Sequence, residues 1–123
     1  MGSTPARCFK TKAFAKLAHK AAVPDADLLI AIAELREDKG TKLGGNVWKK
    51  RLNKNMHRCI VVEKIGEWWI FVFMYAKQDR DNLTQAEEQA FKLLAKQYKK
   101  MSDVQLKDLL AKQELLEITN HGN

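Results

Sequence analysis

Cysteine and proline are scarce in this chain, with two of each among 123 residues. Cys8 and Cys59 are far apart and neither belongs to a close pair with metal-ligand spacing, so a disulfide framework is not expected and a reducing cytosol suits both thiols. Of the three histidines, His19 and His121 have no ligand-type neighbours, and no metal site or cofactor is indicated. The amino terminus lacks the basic, apolar, small-residue succession of a signal peptide, and no apolar run reaches the roughly 18 residues of a membrane span. Gly44-Gly45 has no Walker or dinucleotide fingerprint around it, which leaves a turn as its reading. Internal repeats and low-complexity tracts are absent. A cytoplasmic protein without a membrane segment is expected.

Acidic residues are also the minority. Fifteen Asp and Glu stand against 22 Lys and Arg, a formal net charge of +7, whose field favours polyanions or an acidic protein partner. With 46% hydrophobic residues the chain supports one core and is too short for two ordinary domains.

Periodicity predicts a short strand around residues 8–10, then a helix capped by Thr11 and running to about Ala22. Pro24 separates it from a second helix, capped by Asp25 or Asp27, through Leu28, Leu29, Ile32 and Leu35. The two are expected to lie antiparallel. Residues 38–46 read as a glycine-containing loop. Three strands follow at residues 47–52, 57–64 and 67–75, joined by turns at Asn53-Lys54-Asn55 and Ile65-Gly66, most simply as an antiparallel meander. The run Trp68 to Tyr75 has no polar alternation, so this strand is expected to be central and apolar on both faces. Thr84 with Glu87 and Ser102 with Gln105 form capping boxes for two further helices. Residues 114–118 close the domain as a strand or packed segment, and residues 119–123 are expected to fray.

Strand alternation puts Lys49 and Arg51 on one face and Trp48 and Leu52 on the other, leaving Lys50 as the odd charge on the core side. Arg58 shares parity with Ile60 and Val62, and His57 with Cys59 and Val61; which set joins Lys49 and Arg51 depends on the pairing in the fold. Cations fixed on strands beside an apolar core suit phosphate, because a strand sets side-chain direction. The same residues also read as solubilising edge charges, and Lys77, Asp79 and Arg80 as an ion network at a turn and helix start.

Three segments together resemble a known family: Gly44-Gly45-Asn46-Val47-Trp48-Lys49-Lys50-Arg51, then His57-Arg58, then Phe73 through Leu83 with Ala76-Lys77-Gln78-Asp79 at its centre. The chain is similar to the RelE/ParE superfamily of bacterial type II toxins, especially its RelE-like and HigB-like branch, over about residues 9–118. The resemblance implies a single compact α+β toxin domain spanning residues 1–123, with a core at about 8–118. Its expected architecture is a small antiparallel sheet with two N-terminal helices and C-terminal helices. The implied activity is metal-independent cleavage of messenger RNA on translating ribosomes, inhibiting growth; a ParE-like topoisomerase inhibitor and a decayed nucleic-acid or antitoxin-binding module are the alternatives. Implied partners are a cognate antitoxin, in a possible hetero-oligomer, with mRNA and the ribosome. Carried over by position, the catalytic set is Lys49, Arg51, His57, Arg58 and Lys77. The RNA-binding set is Lys49, Lys50, Arg51, Lys54, Arg58, Lys77 and Arg80. Arg51 and Arg58 are expected to clamp phosphoryl oxygens. Lys49 is the candidate base, and His57 an acid/base candidate because imidazole exchanges protons near neutrality. Gln78 stands where a RelE-type toxin has arginine.

Overall fold

The apolar run that follows residue 67 forms the centre of the molecule. In the computed structural model, which describes residues 7–65 and 68–119, the elements are β1 (Arg7–Thr11), α1 (Lys12–Lys20), α2 (Asp25–Arg36), β2 (Thr41–Gly44), β3 (Val47–Leu52), β4 (His57–Lys64), β5 (Trp68–Ala76), α3 (Gln85–Lys99), α4 (Asp103–Ala111) and β6 (Leu115–Ile118). They form one six-stranded sheet in the order β2-β3-β4-β5-β1-β6. β5 lies between β4 and β1 and is buried on both faces along most of its length.

Alternation along the strands builds two cores. Cys8, Trp48, Cys59, Val61, Trp69 and Phe71 face α1 and α2, meeting Phe14, Leu28, Ile32 and Leu35. Phe9, Val47, Ile60, Val62, Ile70 and Tyr75 face α3 and α4, meeting Ala95, Tyr98 and Leu106. The result is an α+β fold of three layers. A bulge lies opposite the Ile60-Val61 step: Ile60 pairs with Phe73 but Val61 pairs with Phe71. The extra residue, Val72, lets Val72 and Phe73 both face the α3 side, a break in alternation that a bulge permits.

The expected meander is present as β3-β4-β5, with antiparallel pairing throughout. The sheet as a whole is mixed, however, because β1 runs parallel to β5. Its size also exceeds the expected small sheet. Part of the predicted 38–46 loop is β2, which pairs antiparallel with β3; its alternation is hidden by the exposure of Thr41, Lys42 and Gly44. The tight turn into β3 falls on Gly44, Gly45 and Asn46, at φ +91°, +60° and +65°, backbone angles that glycine and asparagine tolerate best.

Thr11 caps α1 by accepting from the Phe14 amide at 3.0 Å, but α1 stops at Lys20, short of Ala22, which adopts φ +58° and lets the Val23 amide return to the Ala18 carbonyl. Neither Asp25 nor Asp27 caps α2. Pro24 holds the cap position without a side-chain bond, and both carboxylates lie in the first turn, where the helix dipole favours them. Both capping boxes are formed. The segment at 114–118 is a strand, β6, paired with β1. Gly66 and Glu67 of the expected turn and strand start, and Asn120 to Asn123 with His121, lie outside the described residues.

Candidate functional site

The β3-β4 register resolves the open parity question. Arg51 pairs with Arg58 and Lys49 with Ile60, so Lys49, Arg51 and Arg58 emerge from the same face of the sheet, at the end where β3 and β4 approach their turn. Lys77 and Asp81 come from the segment that leaves β5, and Thr41 comes from β2. These six residues line a pocket of about 280 Å³. Four cations surround one carboxylate.

Several contacts hold this arrangement. The Lys49 Nζ donates to Asn82 Oδ1 at 2.9 Å, and the Arg58 guanidinium donates to the carbonyls of Asn55 and His57 at 3.2 and 3.1 Å. The first of these carbonyls belongs to the β3-β4 turn, where Asn53, Lys54 and Asn55 all have positive φ, and the second to the first residue of β4. The Lys77 amide donates to the Met56 carbonyl at 2.9 Å, tying that turn to the end of β5. Among the described residues, no hydrogen bond or ion pair engages the Arg51 guanidinium or the Lys77 ammonium.

The segment 77–83 is itself braced. The Tyr75 hydroxyl donates to the Asp81 carbonyl at 3.2 Å. Arg80 donates twice to Glu87, at 2.7 and 3.0 Å, while its guanidinium lies 4.9 Å from the Tyr75 ring centre and 5.2 Å from that of Phe73. Bidentate pairing of this kind fixes geometry as well as charge. The Glu87 carboxyl is pulled down to about 2, first by the Arg80 hydrogen bond and then by the amide of Thr84. Burial pushes the Tyr75 phenol up, against the opposing pull of Arg58 and Arg80.

Lys49, Arg51, Arg58 and Lys77 are therefore brought together, and the other sequence-predicted residues are not. Lys50 points to the opposite face, where its side chain is 12% exposed and pairs with Glu34 of α2 at 2.9 Å. Lys54 sits at the exposed tip of the β3-β4 turn, beside a groove shared with Asp27 and Glu34. Arg80 belongs to the bracing network, as the helix-start reading of that segment expects. His57 pairs with Leu52 on the other face from Arg58, its Nδ1 3.1 Å from Asn53 Nδ2. It does not line the four-cation pocket. It lines an adjoining pocket of about 410 Å³ that also includes Lys77 and Asp81.

Thr41, Asp81 and Asn82 were not singled out by sequence reasoning. Thr41 was hidden in a segment read as loop. Asp81 and Asn82 had a signal, a polar cluster four and five residues beyond Lys77, close enough for one turn to return them to the same end of the sheet.

A mixed sheet covered by helices on both faces, with a four-cation cleft at one end of its central hairpin, defines a basic α+β domain whose open surface suits an anion. The chain belongs to the RelE toxin family: the family model described as the RelE toxin of the RelE / RelB toxin-antitoxin system matches residues 6–118. It is thus of the toxin side of a toxin-antitoxin system, with an antitoxin as the partner its family implies. Comparison with curated proteins finds no match. Among the described residues no helix is long and apolar enough to cross a membrane.

Proposed function

We propose that this toxin is an endoribonuclease that cuts messenger RNA on translating ribosomes in the cytoplasm and so arrests growth. The observation that carries the reading is the convergence of Lys49, Arg51, Arg58 and Lys77 around one small pocket. A phosphodiester placed there is cut by its own neighbouring 2′-hydroxyl: the hydroxyl loses its proton, its oxygen bonds to phosphorus, and the bond to the 5′-oxygen breaks as that oxygen takes up a proton. The products are a 2′,3′-cyclic phosphate and a 5′-hydroxyl. Arg51 and Arg58 donate to the phosphoryl oxygens as negative charge accumulates there, and strand-mounted donors need little reorganisation at that moment. Lys77 adds a third cation from the segment that follows β5. Proton transfer falls to Lys49, whose Nζ is held by Asn82.

Primer-extension mapping of transcripts after brief induction tests this reading. In-frame cuts within translated regions are expected, and Arg58→Ala should lower the cleavage rate by about 10² to 10³-fold, the scale of losing one preorganised donor. Arrest without transcript cuts would instead point to a non-hydrolytic inhibitor.

The antitoxin, on the same reading, covers the basic cleft with an acidic or amphipathic segment. Its complex with the toxin should form more slowly as salt rises.

A further inference from the structure

The pocket beside the four-cation cleft has a different chemistry. Its lining is mostly apolar, and Met56, His57 and Ala76 form it together with Asn55 and Gln78. Met56 is 58% exposed, although a large apolar side chain on a polar turn gains nothing from water. Lys77 and Asp81 line both pockets, so whatever fills the second lies directly beside an anion held in the first. Backbone contacts also couple the two: the carbonyl of Asn55 accepts from Arg58, and that of Met56 accepts from the Lys77 amide. A flat, partly apolar group attached to a phosphate fits this pair of sites, which is the description of a nucleotide.

Asp81 is the informative residue. A carboxylate among four cations weakens anion binding, and here no hydrogen bond or ion pair among the described residues engages its carboxylate. Nor does it cap α3, since Thr84 does. A carboxylate only accepts, and since none of the neighbouring cations bonds to it, its oxygens are open to the N–H donors of a ligand. Guanine alone among the four RNA bases offers two adjacent N–H donors, from N1 and N2, with a carbonyl acceptor at O6 beside them for a cation such as Lys77. Adenine and cytosine place a bare acceptor nitrogen next to their amino group, and uracil flanks its single N–H with two carbonyls.

We infer that the Met56–Gln78 pocket binds an unstacked guanine adjoining the phosphate held by Arg51, Arg58 and Lys77, with Asp81 reading its N–H edge and Met56 and His57 packing on its face. This assigns His57 to base contact. The inference rests on the RNA-cleaving reading for its substrate, but its test does not require cleavage.

The test is calorimetric titration of the purified protein with the four nucleoside 3′-monophosphates at low salt. Guanosine monophosphate should bind at least about tenfold more tightly than the adenosine, uridine and cytidine compounds, and Asp81→Asn or Asp81→Ala should bring that ratio close to one. Equal binding of all four nucleotides overturns the inference, as does a preference that both variants retain. Transcript cuts in cells without any preference for guanosine beside the cut, together with equal binding, would sink this inference and leave the nuclease reading standing. Selective guanosine monophosphate binding without any transcript cuts would do the reverse.

Discussion

Arg51 and Lys50 are neighbours in sequence, carry the same charge and leave opposite faces of β3. Replacing each by glutamine changes the net charge equally, so the pair separates a local phosphate site from the general field of a +7 chain. Arg51 lines the four-cation pocket, whereas Lys50 is paired with Glu34 behind the sheet. For single-stranded RNA the logarithm of affinity falls with the logarithm of salt by about 0.7 for each phosphate neutralised. Four engaged cations give a slope of about −2.8, which from 50 to 200 mM salt is about a 50-fold loss of affinity; three give about −2.1 and an 18-fold loss. Arg51→Gln should show the shallower dependence, and Lys50→Gln should keep the steeper one. Fluorescence anisotropy with a short labelled RNA across a potassium chloride series measures both, and thermal melts check that each variant is folded. Equal shallowing by the two substitutions would show that net charge, and not the pocket, binds RNA.

Other expectations concern the frame of the site. The depressed carboxyl of Glu87 makes a contribution to stability that is fully present above its ordinary value of 4.5 and is lost as pH falls through about 2. The melting-temperature gap between wild type and Glu87→Gln should therefore be constant above about pH 5.5 and close towards pH 2; a constant gap down to pH 2 would contradict the pairing with Arg80. Phe71 is fully buried and packs on Phe14 with ring centres 5.1 Å apart. Urea unfolding should find Phe71→Ala less stable by about 3 to 5 kcal/mol. A β-carbon on Gly40 would come within 2.5 Å of Leu35 Cδ2, an atom locked in the core, so Gly40→Ala should cost about 1 to 3 kcal/mol. Burial pushes the thiols of Cys8 and Cys59 up to about 11 and about 12. Neither should react with a disulfide reagent at pH 8 in the native chain, and both should react at once in denaturant.

Legibility followed the length scale of the interaction. Capping boxes, the Thr11 cap and the β3-β4-β5 meander are local, written within a few residues, and they could be read from the chain. Parity on β3 put Lys49 with Arg51 and against Lys50. What parity could not give was the partner set: only the Arg51-Arg58 register, a contact between strands, places Arg58 in the cleft and His57 outside it, in the adjoining pocket. Pairing of β1 with β5 is more remote still and leaves no local trace, which is why a mixed sheet looked antiparallel. Asp81 was hidden for another reason, since a carboxylate in a polar loop is informative only when its neighbours in space are cations.

The position of β1 has a consequence for how the protein comes into being. It is made before both of the strands it pairs with, since Arg7 aligns with Trp68 and Cys8 with Ile118. The strand must wait unpaired through the synthesis of some sixty residues for one neighbour and more than a hundred for the other. Loop closure over such spans is slow. The hairpin bearing Arg51 and Arg58 can form early, but the segment that supplies Lys77 and Asp81 follows β5, and β1 gains its outer neighbour only when residues 115–118 have been made. Synthesis thus separates the chain's first contact with a ribosome, as a nascent strand, from its appearance as a folded toxin.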